Sequence, residues 1–479
     1  MSSSHLRPAR PVAILVLSIT VAAALWSTQV SAGAAATASV DWPTYGYDAL
    51  RTGYNPNETV LAPGNVGSLT QKWAYELGAV TIGQPAVAAG VVVDETGTDL
   101  VYEGSEHGHL VALRVADGSV VWDRNLGEQD TDCYDMPDTI FGVSGTPTID
   151  RAAGVLYETG GNGKVYSLDL ATGATTPGWP VAVTRDPAHE HVYGGINQLG
   201  GKLYVATASY CDYTPYHGHI VQIDVATHAR TASWFTVGRT VNGGGIWGPG
   251  GVAVDPATGH VFTATGNALY NPESYRFGEH VVELSDALKV LGANYLGLTG
   301  GDVDFGATPI LYQAPACPPQ VAAKNKSGVL VVYTRGGLNG GPTQRLQVGN
   351  VGDWQFNGIP AYSPVTNTMF IGNSSDSAPF VEGMVALNVQ PDCSLALAWQ
   401  NSVSDPGPWS SVSPPTVANG VVYYGNGVGN KEFAFDAATG TKLWDSGTTI
   451  GGAIFAAAAV VNGMVFVGSW DHVLHAYGL

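Results

Sequence analysis

Apolar residues recur along the chain in short runs that alternate with polar positions, and turns rich in Gly, Pro and Asn separate the runs. A period of two with Val, Phe, Tyr and Thr enriched predicts strands rather than helices. The clearest writing is Pro415–Gly425 (PTVANGVVYYG) followed by Phe433–Trp444 (FAFDAATGTKLW). It reads as two strands across an Asn-Gly turn, a third strand entering Asp-x-x-Thr-Gly, and a fourth ending in Trp. Further copies begin near Pro85, Pro147, Asn197, Pro249, Pro309, Pro360 and Ile454. Fourth-strand aromatics stand at Trp73, Trp122, Trp179, Trp234, Tyr295, Trp399 and Trp444, and a copy ending near Leu346 fills the remaining gap. The last copy, Ile454–Leu479, has room for three strands only, while Leu69–Trp73 is a lone fourth strand before the first copy. Pairing the two completes an eighth unit and removes the exposed edges that an open array would leave. The predicted fold is therefore all-β, an eight-bladed β-propeller closed by an N-terminal strand. The shorter WD-type repeat fits less well, because its Gly-His partner is missing.

Composition sharpens this in two ways. With 63 Gly and 28 Pro in 479 residues and 12% charged residues, long helices are not expected. The net charge of −19 argues against nucleic acid as a partner. Residues 1–38 read as a leader and small-residue linker, and residues 39–479 as one propeller domain. Arg7 and Arg10 precede the apolar run Pro11–Trp26, with small-residue cleavage sites after Ala32 or Ala38. No later stretch is long and apolar enough for a spanning helix, so the mature chain is expected to be secreted or periplasmic, without a membrane span. Export permits disulfides. Cys133, Cys211, Cys317 and Cys393 allow three pairings, and Cys133–Cys211 with Cys317–Cys393 is favoured because each pair then links neighbouring copies.

The repeat Asp-x-x-Thr-Gly-x-x-x-Trp resembles the tryptophan-docking motif of the pyrroloquinoline quinone (PQQ) propellers. The stretches Asp41-Trp-Pro-Thr-Tyr-Gly-Tyr-Asp48 and Asn65-Val-Gly-Ser-Leu69 are similar to the start of the PQQ-dependent alcohol dehydrogenases. That resemblance covers nearly all of the chain after the leader. It implies PQQ and calcium as cofactors, an alcohol or sugar as substrate, and a separate electron acceptor. It implies Trp247, in Gly-Ile-Trp-Gly, as the floor under the quinone, and Asn267, in Thr-Gly-Asn, as a calcium ligand. Asp304, in Gly301-Asp-Val-Asp-Phe-Gly-Ala307, is implied as catalytic base and metal ligand. Lys326, in Lys324-Asn-Lys-Ser-Gly328, is implied as the cation that touches the quinone. Asp212, in Tyr210-Cys-Asp-Tyr213, falls near the family's Glu ligand after a one-residue shift. The chemistry suits these types: calcium takes hard oxygen ligands, an aromatic face supports a flat ring system, and a carboxylate accepts an alcohol proton.

Two departures stand out. The family's vicinal Cys-Cys, which covers the quinone opposite the tryptophan, is absent, and Cys133-Tyr-Asp135 stands in its approximate place, so Tyr134 is the candidate to stack there. No Cys-x-x-Cys-His occurs, so no attached haem is expected. Each candidate also has a structural reading: Trp247 as packing between blades, Asn267 as a turn residue, Asp212 and Asp304 as loop caps, Lys326 as a solvated turn residue. His189/His191 and His217/His219 form pairs that could bind a transition metal, with surface loops the simpler reading. Two functions of different class therefore stand: a PQQ- and calcium-dependent oxidoreductase, and a non-catalytic scaffold binding protein or glycan, since the same repeat builds the propeller subunit of the bacterial outer-membrane assembly machine.

Overall fold

A computed structural model describes residues 1–2, 39–133, 136, 138–298, 302–350, 358–403, 413–427 and 429–479. The expected leader falls outside them apart from Met1 and Ser2. By contacts the chain divides into a unit of residues 1–38 and a unit of residues 39–479.

The second unit carries eight antiparallel sheets whose four main strands follow chain order, at 86–125, 148–182, 197–235, 253–295, 310–347, 361–401, 416–445 and 459–478. These are blades 1 to 8. Blade 8 supplies three strands from the C-terminal end, and Thr70–Glu76 pairs antiparallel with Val473–Gly478 as the fourth. The closure read from the lone Leu69–Trp73 strand is thus the one observed. Alternation explains the burial: Thr70–Glu76, the outermost strand of its blade, switches between partly buried and exposed at every residue. The inner strands are buried on both faces, as in Thr368–Asn373.

The aromatic at the end of each fourth strand acts between blades. Trp122 of blade 1 donates its Nε1–H to Leu170 O of blade 2 at 2.9 Å, and Trp399 of blade 6 donates to Ala437 O of blade 7 at 3.0 Å. A Cβ on Gly173 or Gly440 would lie 2.6 or 2.4 Å from those indole rings. The Gly of Asp-x-x-Thr-Gly is therefore the seat on which the previous blade's tryptophan rests, and its φ values of +66° and +73° suit glycine as well.

The segment 40–55 touches every blade. Its backbone pairs with Val87, and the carbonyls of Pro43, Ala49, Leu50, Thr52 and Gly53 accept from the N–H groups of Ile149, Val254, Leu311, Tyr362 and Val417 at 2.7–2.9 Å. Blade 8 is reached through Val40 and Asn462, blade 3 through Asn197. Arg51, 1% exposed, anchors the segment by donating to Thr44 Oγ1, Tyr45 O, Val252 O and Ile196 O at 2.8–3.1 Å.

Both favoured disulfides are present. Cys317–Cys393 joins blades 5 and 6, and Cys133–Cys211 ties the loop after blade 1 to blade 3.

Candidate functional site

The site forms where three glycine-rich loops meet on blades 4 and 5. Gly243-Gly-Gly-Ile-Trp247 runs into blade 4, and its backbone is laced to the loop after the second strand of that blade: Gly244 N donates to Asn267 O at 2.6 Å and Gly266 N to Gly245 O at 2.7 Å. Gly266 is the hinge of the arrangement. A Cβ there would stand 2.5 Å from Trp247 Nε1 and 2.5 Å from Asp304 Oδ1, so only glycine lets the indole and the carboxylate close in from two sides.

Asp304 is buried, and its Oδ1 accepts from the Asn267 backbone N–H at 2.6 Å. Its backbone carbonyl accepts from Lys326 N at 2.9 Å and Asn325 Nδ2 at 2.9 Å, which locks the two loops together. The Lys326 ammonium lies 2.7 Å from Asp302 Oδ1 and 3.5 Å from Asp304 Oδ2. Asp212 arrives from blade 3 on a turn in which Cys211 and Asp212 both hold φ near +52°, and Tyr216 donates its hydroxyl to Asp212 Oδ1. Burial drives the Asp304 carboxyl well above the usual carboxylate range; Lys326 opposes that, and the charges of Asp302 and Asp212 add to it. Asp212 is raised as well, by burial first, with its Tyr216 hydrogen bond and Lys326 acting the other way.

All of the expected site residues within the described chain thus converge. Trp247, Asn267 and Asp304 meet around Gly266, Lys326 joins them through Asp304, and Asp212 lies close enough for its charge to act on Asp304. Tyr134 lies outside the described residues. The Asn267 Oδ1 oxygen is buried and makes no hydrogen bond among the described residues. Three carboxyls, Asp212, Asp302 and Asp304, face one ammonium, and this surplus of oxygen donors and negative charge suits a hard divalent cation. As it stands, Lys326 is the cation they gather, and no preformed group of three or more acidic or imidazole ligands occurs among the described residues.

The tryptophan's surroundings are aromatic. Tyr193 and Tyr216 meet Trp247 edge-on at 6.4 and 6.3 Å between ring centres, and Cys133, Tyr210 and Met136 belong to the same buried cluster. The Cys133–Cys211 bridge therefore sits in the cluster of the candidate floor, one residue from Asp212.

Sequence reasoning missed Glu106. Its buried carboxylate accepts from Ser144 Oγ at 2.7 Å, Tyr210 Oη at 2.9 Å and Gly142 N at 2.8 Å, and burial pushes it up to about 7. Nothing in Ser105-Glu-His-Gly108 marks that Glu as internal. The surface reading of the histidines needs correction for two of them. His191 stacks on Phe141 at 4.4 Å and is fully buried, which pushes its imidazole down to about 4, and His219 is buried against Thr207. They pack the core: His191 meets the Ala188 carbonyl and the Tyr210 N–H, and His219 the Thr207 hydroxyl and the carbonyls of His217 and Val183, partners that a metal would have to displace.

Comparison with known proteins agrees on the fold and divides on activity. The model of a family described as outer membrane protein assembly factor BamB matches residues 13–232. No curated protein sequence matches the chain. Among solved structures, a europium-containing methanol dehydrogenase is 16% identical over 92% of this chain and 98% of its own, with a TM-score of 0.69. A quinohemoprotein alcohol dehydrogenase from Comamonas testosteroni is 16% identical over 92% of this chain and 81% of its own, with a TM-score of 0.68. BamB from Moraxella catarrhalis is 16% identical over 86% of this chain and all of its own, with a TM-score of 0.55. At such identities the likeness establishes the propeller fold and no activity.

Proposed function

We propose that this PQQ-like propeller is an extracytoplasmic oxidoreductase that uses PQQ and calcium to oxidise an alcohol or sugar, passing electrons to a separate acceptor. The observation that carries the proposal is the convergence of Trp247, Asn267 and Asp304 on Gly266, with a buried Asn267 Oδ1 left without a hydrogen-bond partner among the described residues. Two disulfides support an extracytoplasmic setting.

The donor set fits calcium. Asp212, Asn267 and Asp304 would supply its oxygens, and Asp302 adds charge nearby. When bound, PQQ supplies the two-electron acceptor and calcium the Lewis acid. The chain's own groups do the rest. Trp247 offers an apolar face between the glycine loops. Asp304 Oδ2 accepts the hydroxyl proton of the substrate, and its elevated affinity for protons is the direction a base near neutrality requires. Lys326, held by Asp302, places a positive charge where reduction builds negative charge. Tyr216 holds the Asp212 carboxylate in position through its hydroxyl.

A second reading, a non-catalytic scaffold, is favoured by the match of residues 13–232 to the BamB family and by the tyrosines that crowd Trp247. The two part in a dye-reduction assay with primary alcohols and aldose sugars, after loading with PQQ and calcium. The oxidoreductase reading expects turnover that Asp304→Asn abolishes while cofactor binding is largely kept. Absence of turnover from a protein that does bind the cofactor favours the scaffold.

A further inference from the structure

Outside that site, the loop between the second and third inner strands of blade 4 builds a cavity of about 480 Å³, within the range of small-molecule sites. Glu273 and Glu279 face it together with Tyr270, Tyr295, Asn271 and Leu298. Tyr270 is 55% exposed and Tyr295 40% exposed, large aromatic surfaces left at the rim of an otherwise well-packed propeller.

The carboxyl pair is the unusual part. Glu279 is 3% exposed, and its Oε1 makes no hydrogen bond among the described residues. Its backbone is fixed by Glu279 N donating to Gly266 O at 2.9 Å, and its φ of +57° is held by that loop. Glu273 stands against it as a second carboxyl, with Oε2 accepting from Asp302 N at 3.3 Å. Burial first, then the charge of Glu273, a hydrogen bond between the two carboxyls and the charge of Asp302 push Glu279 up to about 7, while a hydrogen bond to the Val303 backbone opposes this. Neither glutamate forms an ion pair among the described residues. The one basic residue of the loop, Arg276, lies over Gly238 of the neighbouring blade instead. His280, stacked on Tyr295, is pushed toward its neutral form by burial.

The two carboxyls hold together by sharing a proton, and a cation that takes its place would be held by both carboxylates. A metal is the weaker candidate, because no group of three acidic or imidazole ligands is available among the described residues. Aromatic faces beside paired carboxylates suit an alkylated ammonium instead, whose diffuse charge is drawn both to the carboxylates and to the ring faces. We infer that this cavity is a binding site for a small organic cation carrying an ammonium group, seated between Glu273, Glu279 and the rings of Tyr270 and Tyr295. The cavity adjoins the proposed quinone site through Gly266 O and Asp302 N, but its ligand does not depend on that reading.

The test is isothermal titration of the full-length protein with tetramethylammonium chloride, with tert-butanol as an uncharged control of similar size. Tetramethylammonium is expected to bind and tert-butanol not to. Glu279→Gln and Tyr270→Ala should each weaken binding at least tenfold and severalfold respectively, while Asp304→Asn leaves it unchanged. Should Glu279→Gln fail to fold, Glu273→Gln, at a partly exposed position, carries the same expectation of severalfold weakening. Equal binding of tert-butanol, no binding of tetramethylammonium, affinity unaffected by the glutamate substitutions, or stronger competition by calcium than by any ammonium would each overturn the assignment.

Discussion

Arg51 is the point at which the hold of segment 40–55 can be broken with one substitution. Its guanidinium is buried and pushed down to about 10 by desolvation, with Asp48 the nearby charge that favours its charged form. Replacing it with Met keeps apolar bulk and removes every donor. Four hydrogen bonds, to the Tyr45, Val252 and Ile196 carbonyls and the Thr44 hydroxyl, are then lost in a site closed to water, although Val252 O keeps Asn197 Nδ2 and both Ile196 O and Thr44 Oγ1 keep Thr148 Oγ1. At about 1 kcal/mol net for each hydrogen bond, the loss is about 4 kcal/mol. Relief from burying a charged guanidinium offsets part of it, while an uncompensated Asp48 adds to it, so about 3–5 kcal/mol is expected. Urea unfolding followed by tryptophan fluorescence reads this as a lower midpoint at an unchanged slope. Because the segment also accepts from Val254 of blade 4 and Ile149 of blade 2, the native state should open faster at these two contacts, visible as their amide exchange. A variant within about 1 kcal/mol of the parent would refute the idea that this segment fastens the ring.

Three further outcomes follow from particular contacts. Gly266→Ala sets a Cβ 2.5 Å from both Trp247 Nε1 and Asp304 Oδ1, so it should cost about 1–3 kcal/mol in denaturant unfolding and shift Trp247 emission. Lys324, buried with its ammonium donating to Gly372 O, is pushed down to about 7 by burial. Between about pH 7 and its unfolded value near 10.5 the unfolded chain binds more protons than the native one. Its contribution therefore makes stability rise with pH across that window, and Lys324→Met should flatten the rise measured at several pH values. Replacing Cys133 and Cys211 together by Ser opens a loop of 78 residues and should cost up to about 4 kcal/mol of thermal stability, while also loosening the turn that carries Asp212.

What the sequence made legible follows from what repeats. Each blade writes its strands with the same alternation, and the Trp-on-Gly contact, seen at Trp122 with Gly173 and Trp399 with Gly440, recurs between successive blades. The lone strand before blade 1 was recognisable as the missing partner of blade 8 for the same reason. Segment 40–55 has no such period. Its Trp42, Tyr45 and Arg51 are set by neighbours on several blades, and those neighbours are far away in sequence. The site divides along the same line. Trp247, Asn267 and Asp304 sit in short glycine motifs that can be read locally. Glu106, Glu279 and the tyrosines around Trp247 gain their character only from burial against other blades, which turns ordinary surface residue types into internal ones.

The central claim is that Trp247, Asp212, Asn267 and Asp304 form one cofactor site. Calorimetric titration of PQQ into the protein, with and without calcium, tests it most directly. The account predicts saturable binding that needs calcium, quenches Trp247 fluorescence, and weakens by about 3–5 kcal/mol in Trp247→Ala, as expected for a lost buried aromatic contact. Absence of heat above dilution at large cofactor excess with calcium present, or binding indifferent to calcium and to Trp247, would contradict it.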